Sequence, residues 1–291
     1  MQWVIEEKQS GMTIHSFLRL EKQFSRRILK AVKFDGGKIT VNGTEKTVRY
    51  VLNTGDYLQV QLPKEERGTI KAVDLPLDIV YEDDAILIIN KQPGIATIPS
   101  FNHPTKTITN GVLAYYERNN IPYTVHIVTR LDRDTSGLLL IAKHRYSHSL
   151  LAKAQQEGAV QRYYTAIVEG KFCKKKGKID ANIGRKEGSI IERKVRADGQ
   201  YAITNYKVMK EMKNMSLVEI NLETGRTHQI RVHMAWLGHP LVGDDLYGAC
   251  AQLMRRQALH CSKLVFPHPI TKKQVEIELP LPTDMEKLTS E

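Results

Sequence analysis

A charged turn that runs directly into an apolar segment is the feature that most constrains how this chain folds. Residues 130–137 read Arg-Leu-Asp-Arg-Asp-Thr-Ser-Gly, and the uninterrupted apolar residues 138–141 follow them. A short apolar run bounded by turn-forming residues predicts a buried strand. Asp132 is therefore expected on a turn beside the core, where its carboxylate could serve in catalysis. An aspartate that only caps the turn is the more common arrangement, so this segment alone leaves both roles open.

Length and charge limit the class of protein further. The chain has 291 residues, enough for one large domain with a small appendage or for two comparable domains. Its formal net charge of +11 favours a polyanionic partner. Charge alone does not identify that partner, since many basic proteins bind no polyanion.

The sequence predicts no metal site, no disulfide framework and no membrane segment. The three cysteines, Cys173, Cys250 and Cys261, are widely spaced, which indicates isolated thiols in a reducing compartment. No run of about 18 consecutive apolar residues occurs, and residues 1–10 lack the apolar core of a secretion signal. We therefore expect a cytoplasmic protein.

Strand-like segments outnumber helical ones and do not alternate with them at regular intervals. This order predicts the α+β class, with a large mixed, mainly antiparallel sheet. Residues 64–71 are charged and poor in apolar side chains, so we interpret them as part of a linker and place a domain boundary near residue 75. The expected units are a small α+β domain with its linker at residues 1–75 and a larger domain at residues 76–291.

The smaller unit is predicted to contain a helix with one cationic face. Ser25 is expected to cap this helix at its N-terminus. Its apolar face would comprise Ile28, Leu29 and Val32. Its opposite face would carry Arg26, Lys30 and Lys33. A strand that enters an Asn-Gly turn follows at residues 38–44. The cationic face is either a binding surface or an ordinary solvated face.

A second polar segment, residues 222–233, concentrates arginine and histidine between apolar positions. We interpret residues 230–232 as part of a strand, on which Arg226 and Arg231 would point to opposite faces. Arg231 could then enter the core and form a bidentate pair with Asp132, because arginine stays charged when it is buried. The opposing guanidinium would keep the carboxylate ionised. The histidines of this segment fit no standard zinc spacing, which favours a structural role for them.

Several motifs occur in an order typical of one enzyme family. The segments at residues 130–137 and 222–233, together with Arg-Tyr-Tyr-Thr-Ala-Ile-Val-Glu-Gly at residues 162–170, resemble the RluA-type pseudouridine synthases, which isomerise uridine within folded RNA. Further family motifs, which we interpret as scaffold, are matched at residues 90–94, 237–244 and 259–269. The resemblance covers residues 76–284. It implies the pseudouridine synthase fold and a redox-neutral isomerisation that needs no cofactor and no metal.

The resemblance assigns catalytic roles to three residues. Asp132 falls at the single essential aspartate of the family, and its carboxylate could attack the sugar, add to the base or remove a ribose proton. Tyr164 falls at the active-site tyrosine, with Tyr163 on the opposite face of the strand. Its phenol could stack on the uracil ring and, given a lowered pKa, help to remove the proton from carbon-5. Arg231 is expected to be the partner of the Asp132 carboxylate.

Other residues are expected to contact RNA. Arg130 resembles the arginine that enters the RNA stack when the target nucleotide is extruded; its alternative role is a surface pair with Asp134. Arg226 and His228 are assigned to RNA phosphate or to loop structure. The basic segment at residues 171–213 is interpreted as an RNA-facing flap or, alternatively, as a solvated loop.

Residues 12–62 resemble the small RNA-binding domain that is named after ribosomal small-subunit protein S-four. This second resemblance implies RNA contacts from the cationic helix, at Arg26, Lys30 and Lys33. The expected function is a monomeric RNA pseudouridine synthase that acts on structured RNA, with ribosomal RNA as its substrate. The alternative from a different class is a non-catalytic RNA-binding or ribosome-assembly factor on the same fold. A zinc-dependent deaminase is disfavoured, because its H-x-E and P-C-x-x-C pattern does not occur.

Overall fold

The computed structural model describes residues 1–101, 103–249 and 252–289. Within these ranges the strands form a four-stranded sheet, a ten-stranded sheet and a two-stranded hairpin. In the large sheet the described pairs are antiparallel except for one parallel pair. The predicted α+β class with a large mixed, mainly antiparallel sheet is confirmed.

The first sheet lies near the N-terminus and is antiparallel throughout. Its strands are β1 (Gln2–Val4), β2 (Lys38–Val41), β3 (Thr44–Glu45) and β4 (Tyr57–Gln61), in the order β1-β4-β2-β3. Its helices are α1 (Ile14–Ser16), which continues into a π-helical turn, and α2 (Arg26–Phe34). Ser25 caps α2 as predicted, because its hydroxyl accepts a hydrogen bond from the amide of Ile28 at 3.1 Å.

The second sheet contains most of the remaining strands. In chain order the elements are β5 (Ile79–Glu82), β6 (Ile86–Lys91), α3 (Ile108–Arg118), β7 (His126–Ile127), β8 (Ser136–Ala142), α4 (Arg145–Gln156), β9 (Gln161–Glu169), β10 (Lys176–Asp180), β11 (Ile183–Arg185), β12 (Arg193–Val195), β13 (Ile203–Glu211), β14 (Met215–Leu222), α5 (Gln229–Trp236), β15 (Leu259–Pro267), β16 (Gln274–Glu278) and α6 (Thr283–Thr289). The strand order is β10-β13-β14-β9-β15-β8-β6-β5, with β16 on β15 and β7 on β8. Strands β11 and β12 form the separate hairpin.

Strand β8 confirms the buried strand predicted after the charged turn. Every residue of β8 is buried, and the strand lies between β6 and β15 near the centre of the sheet. Gly137 has φ 110°, and a Cβ atom there would lie 2.3 Å from the carbonyl oxygen of Cys261. Only glycine permits this close approach, so the Ser-Gly at the end of the turn fixes how β8 enters the sheet beside β15.

The prediction of a strand at residues 230–232 is wrong, because these residues belong to helix α5. His228 has the left-handed φ of 57° and immediately precedes the helix. Residues 229–234 are all buried, including Arg231 and His233. A helix that is buried on almost every side shows no polar stripe, so its period could not be recognised from the sequence.

The charged linker is anchored to the larger sheet rather than solvated throughout. The carboxylate of Glu65 is 1% exposed and accepts hydrogen bonds from the amide and Nε of Arg145 at 3.0 and 2.9 Å. Its other oxygen lies 2.6 Å from Nε2 of His126. Next to this contact, the ring centroids of Phe24 and Tyr146 lie 4.2 Å apart. The segment before α2 and the linker therefore pack against helix α4, the first through an aromatic side chain and the second through a charged one.

Three findings bear on membranes, metals and thiols. None of the helices in the described ranges is long and apolar enough to cross a membrane. The same ranges contain no group of three or more His, Cys, Asp or Glu side chains that could hold a metal ion. Cys173 is exposed and Cys261 is buried, and both are free thiols. Cys250 lies outside the described residues.

Candidate active site

The turn that carries Asp132 is held by buried hydrogen bonds. Thr97 Oγ1 donates to the carbonyl oxygen of Leu131 at 2.7 Å, and the amide of Leu131 donates to the same hydroxyl at 3.3 Å. The amide of Thr135 donates to the carbonyl oxygen of Asp132 at 3.2 Å and closes the turn. Asp132 is thus fixed on the turn that precedes β8, while its side chain remains 28% exposed.

Lys91 ties the same turn to the segment that follows β6. Its side chain is buried, and its ammonium donates to the carbonyl oxygens of Gln92, Ile95 and Arg133, each at 2.8 Å. Burial lowers the pKa of Lys91 to about 7, although nearby carboxylates act to raise it. The contact to the Arg133 carbonyl restrains the backbone directly after Asp132.

Helix α5 brings Arg231 to Asp132, but the bidentate partner of Arg231 is Asp244. Nε and Nη2 of Arg231 lie 2.7 Å from Oδ2 and Oδ1 of Asp244, and both side chains are buried. The remaining nitrogen, Nη1, lies 3.5 Å from Oδ2 of Asp132. The prediction of a bidentate pair between Arg231 and Asp132 is therefore wrong, because Asp244 takes that place. Asp244 orients the guanidinium, and Asp132 faces its third nitrogen.

This arrangement places a permanently charged cation beside Asp132. Burial acts to lower the pKa of Arg231, but the hydrogen bonds and charge of Asp244 raise it overall. A separation of 3.5 Å is longer than an ordinary N–H···O hydrogen bond, so the contact is an ion pair. Within the described chain Asp132 accepts no side-chain hydrogen bond, which leaves the lone pairs of its carboxylate for a reacting group.

Two further side chains complete the surroundings of Asp132. His228 Nε2 lies 3.9 Å from Oδ2 of Asp132, and His228 Nδ1 lies 2.8 Å from the hydroxyl of Tyr247. The Tyr247 ring centroid lies 4.9 Å from the guanidinium carbon of Arg231, a cation–π contact. Burial lowers the pKa of His228 more than the charge of Asp132 raises it. His228 is therefore neutral near pH 7, and Arg231 supplies the positive charge.

Tyr164 is buried on β9, where it pairs in register with Cys261 of β15. Tyr163 is less buried and points to the opposite side of the strand, as the alternation of a strand predicts. Burial raises the pKa of Tyr164, and the neighbouring Cys261 thiol acts in the same direction. A phenolate that accepts the carbon-5 proton would require a lowered pKa, so the structure contradicts this role for Tyr164. Tyr164 presents a neutral phenol.

The residues expected to contact RNA lie in three different places. Arg130 is exposed two residues before Asp132, and nothing in the described ranges forms an ion pair or hydrogen bond with its side chain. Asp134 pairs instead with Arg133 at 2.9 Å, so the alternative pairing of Arg130 is not observed. Arg226 is exposed before α5, and its Nε donates to the carbonyl oxygen of a neighbouring loop at 2.9 Å. The cations of α2 lie on its exposed face, on the unit formed by the first sheet.

Four residues at this site were not identified from the sequence: Lys91, Thr97, Asp244 and Tyr247. Lys91 and Asp244 fall in two motifs that we interpreted as scaffold. The available signals were a lysine at the end of an apolar segment and an aspartate after Val-Gly. Neither signal names a partner, because each contact joins residues that are far apart in the chain.

Comparison with known proteins places this geometry in a family. A family model described as RNA pseudouridylate synthase matches residues 85–236. The chain is 51% identical over 269 residues to the protein named "Uncharacterized RNA pseudouridine synthase YjbO" of Bacillus subtilis (strain 168), covering 92% of this chain and 95% of that protein. It is 38% identical over 301 residues to ribosomal large subunit pseudouridine synthase D of Vibrio cholerae serotype O1, covering 98% of this chain and 92% of that protein.

A solved structure supports the fold. Human RNA pseudouridylate synthase domain containing 1 matches with a TM-score of 0.59 and 23% identity, covering 77% of this chain and 96% of that chain. At this identity the match shows the fold alone. The two bacterial relatives carry the names of enzymes, so a non-catalytic RNA-binding factor is not favoured. The chain belongs to the RluA-type RNA pseudouridine synthases, isomerases that convert uridine to pseudouridine in RNA.

Proposed function

We propose that this enzyme isomerises specific uridines in structured ribosomal RNA and that Asp132 carries the reaction. The observation that supports this most directly is the position of Asp132, a partly exposed carboxylate held on a fixed turn 3.5 Å from a buried guanidinium. The relative named ribosomal large subunit pseudouridine synthase D supports ribosomal RNA as the substrate.

The reaction breaks the bond from nitrogen-1 of the uracil to the ribose and rejoins the base through carbon-5. An ionised carboxylate can attack the sugar, add to the base or remove a ribose proton, and Arg231 favours that ionised form in each case. Asp244 positions Arg231 for this task. Because Tyr164 carries a neutral phenol, we assign its ring to stacking on the uracil rather than to proton transfer.

The remaining expected roles belong to the same proposal. Arg130 has a free guanidinium next to the turn of Asp132, which suits insertion into the RNA stack as the target nucleotide is extruded. Arg226 borders the same site. Residues 76–291 would form the catalytic domain, and residues 1–75 an S-four-like RNA-binding domain that contacts RNA through the cationic face of α2. The enzyme would act as a monomer in the cytoplasm.

Replacement of Asp132 tests the catalytic assignment. Asp132→Asn preserves the size of the side chain and removes its charge, so we expect turnover to fall by roughly four orders of magnitude with RNA affinity retained. Asp134→Asn is the matched control, because Asp134 pairs with Arg133 and does not contact Arg231. Appreciable pseudouridine formation by the Asp132→Asn enzyme would overturn the assignment.

Mapping of pseudouridines in total RNA tests the substrate. RNA from cells with and without this protein is compared position by position. We expect specific sites in ribosomal RNA to be lost without the enzyme and to return with the wild-type protein but not with Asp132→Asn. Loss of sites only in other RNAs would overturn ribosomal RNA as the substrate and leave the chemistry intact.

A further inference from the structure

An arginine-lined cavity of about 330 Å³ lies beside the candidate active site. Hairpin β11–β12, the loop at residues 198–200 and the residues before α5 form its walls. Three of its side chains are arginines: Arg185, Arg193 and Arg226. We refer to the cavity between these three residues as the arginine pocket.

The arginine pocket carries an uncompensated positive charge. Asp198 is the one carboxylate lining it in the described chain, and Arg196 pairs with both of its oxygens, with Nη2 at 2.6 Å from Oδ2. Arg193 and Arg226 donate to backbone carbonyl oxygens, which do not neutralise their charge. For the Arg185 side chain, the described residues supply neither a hydrogen bond nor an ion pair.

The walls of the arginine pocket are closely packed. A Cβ atom on Gly184 would lie 2.4 Å from the Arg196 side chain, and one on Gly199 would lie 2.5 Å from the backbone of Ile183. These distances are shorter than van der Waals contact. The two glycines therefore allow the hairpin and the loop to approach each other, and the arginines project from a preformed frame.

Hydrogen bonds connect this frame to the surroundings of Asp132. The amide of Arg193 donates to the hydroxyl of Tyr247 at 3.0 Å, and that hydroxyl contacts Nδ1 of His228. His228 Nε2 in turn lies 3.9 Å from Asp132. Thr227, which also lines the pocket, directly precedes His228. A group bound in the pocket would therefore lie close to the reacting nucleotide.

We infer that the arginine pocket binds a backbone phosphate of the RNA substrate next to the target uridine. The inference rests on the proposed function only in taking RNA as the substrate. Guanidinium groups suit phosphate oxygens because their planar donors bind two oxygens at once. The cavity is larger than one phosphate, so it admits a phosphodiester with part of its sugar.

The test measures how RNA binding depends on salt. The probe is a fluorescently labelled stem–loop RNA with uridines in its loop, and every protein carries Asp132→Asn so that no turnover occurs. Arg185→Ala with Arg193→Ala should lower the slope of log affinity against log salt by about 0.8, which is roughly a sixfold loss of affinity at 0.1 M salt if the proteins bind equally at 1 M. Arg226 is kept, because its Nε supports the backbone at Tyr201.

A matched double variant removes the same charge from the same hairpin. This control is Lys186→Ala with Lys194→Ala, and neither lysine lines the pocket. The ammonium of Lys186 lies 2.7 Å from the carboxylate of Glu192, and that of Lys194 lies 3.9 Å from the carboxylate of Glu187. We expect this control to change the slope much less. Arg185→Lys with Arg193→Lys should restore most of the slope, because the charge is retained. Unchanged thermal midpoints would show that all variants fold.

Two results would overturn the inference. An unchanged slope in the arginine variant would mean that the pocket contacts no phosphate. Equal losses in the arginine and lysine variants would mean that only the general charge of the hairpin contributes. If either result is found while the wild-type enzyme still shows turnover that depends on Asp132, phosphate binding by the arginine pocket is rejected and the proposed function is retained. Because the readout is binding, a wrong catalytic assignment for Asp132 would not produce either result.

Discussion

The exposed face of helix α2 and the centre around Asp132 use positive charge in opposite ways. On α2 the cations at Arg26, Lys30 and Lys33 are exposed and, as far as the chain is described, have no acidic partner. Around Asp132 the single cation Arg231 is buried, held by Asp244 and covered by the Tyr247 ring. The exposed cations of α2 can attract a polyanion from solution, whereas the buried Arg231 keeps one positive charge at a fixed position beside Asp132.

This difference predicts different responses to mutation and to salt. Exposed charges contribute little to stability and act through a field that salt screens, so their effects on binding add up and weaken as salt rises. A buried ion pair responds strongly when one partner is removed, because the other charge is left without compensation. Substitutions in the two regions therefore distinguish these two behaviours.

Arg231→Lys should reduce kcat by roughly 10²- to 10³-fold, a typical effect of losing one oriented donor. A lysine ammonium cannot bind both oxygens of Asp244 and still face Asp132. Single-turnover assays on substrate RNA measure the change. Arg256→Lys is the control, because Arg256 is also buried and binds Asp284 through two nitrogens at 2.8 and 2.9 Å. A similar loss of kcat in both variants would show that Arg231 acts only through stability.

Replacement of Arg26, Lys30 and Lys33 together by alanine should weaken RNA binding at low salt. Three lost phosphate contacts lower the salt slope by about 2, which is on the order of 100-fold in affinity at 0.1 M salt. The rate at saturating RNA and the thermal midpoint should not change, because these side chains lie outside the catalytic centre.

A control triple variant removes the same charge from elsewhere on the surface. It removes three lysines that already face carboxylates: the exposed Lys8 and Lys153 and the half-buried Lys263. An equal decrease in the salt slope for this control would show that the α2 cations contribute only general surface charge and make no specific phosphate contacts. Point variants are preferable to deletion of residues 1–70, since deletion would also expose Tyr146 and remove Glu65.

Glu65→Gln should lower stability at neutral pH by about 2 kcal/mol. Burial acts to raise the pKa of Glu65, but hydrogen bonds from His126 and Arg145 outweigh it and lower the pKa to about 2 from 4.5. A carboxylate with a lowered pKa stabilises the fold fully above pH 4.5 and loses this contribution as the pH falls towards 2. Partial exposure of its partners screens the effect, so the value lies below that of the full shift.

Urea unfolding at several pH values measures this contribution. The difference between wild-type and Glu65→Gln should be constant above pH 4.5 and should shrink below it. Glu66→Gln is the control, because Glu66 is exposed on the same segment and should change stability by less than about 0.5 kcal/mol. A difference that stays constant down to pH 2 would show that the Glu65 charge does not stabilise the fold.

Several elements could be predicted because they depend on neighbours in the chain. Residues 138–141 lie within the buried strand β8, and Ser25 caps α2. Asn42 and Gly43 adopt φ values of 51° and 78°, which the tight turn after β2 requires. Strand alternation also predicts that Tyr164 is the more buried of the two adjacent tyrosines. Helix α5 was missed for the converse reason, since its burial on nearly all sides depends on elements distant in sequence.

The chemical groups available to this protein follow from its sequence: a carboxylate on a turn, arginines that stay charged, and a basic helix face. The partners of these groups depend on the tertiary fold. It pairs Arg231 with Asp244, buries Glu65 against Arg145 and raises the pKa of Tyr164. A hydrogen-bond partner and the local polarity around a charge depend on residues far apart in the chain that packing brings together, and no local pattern records them.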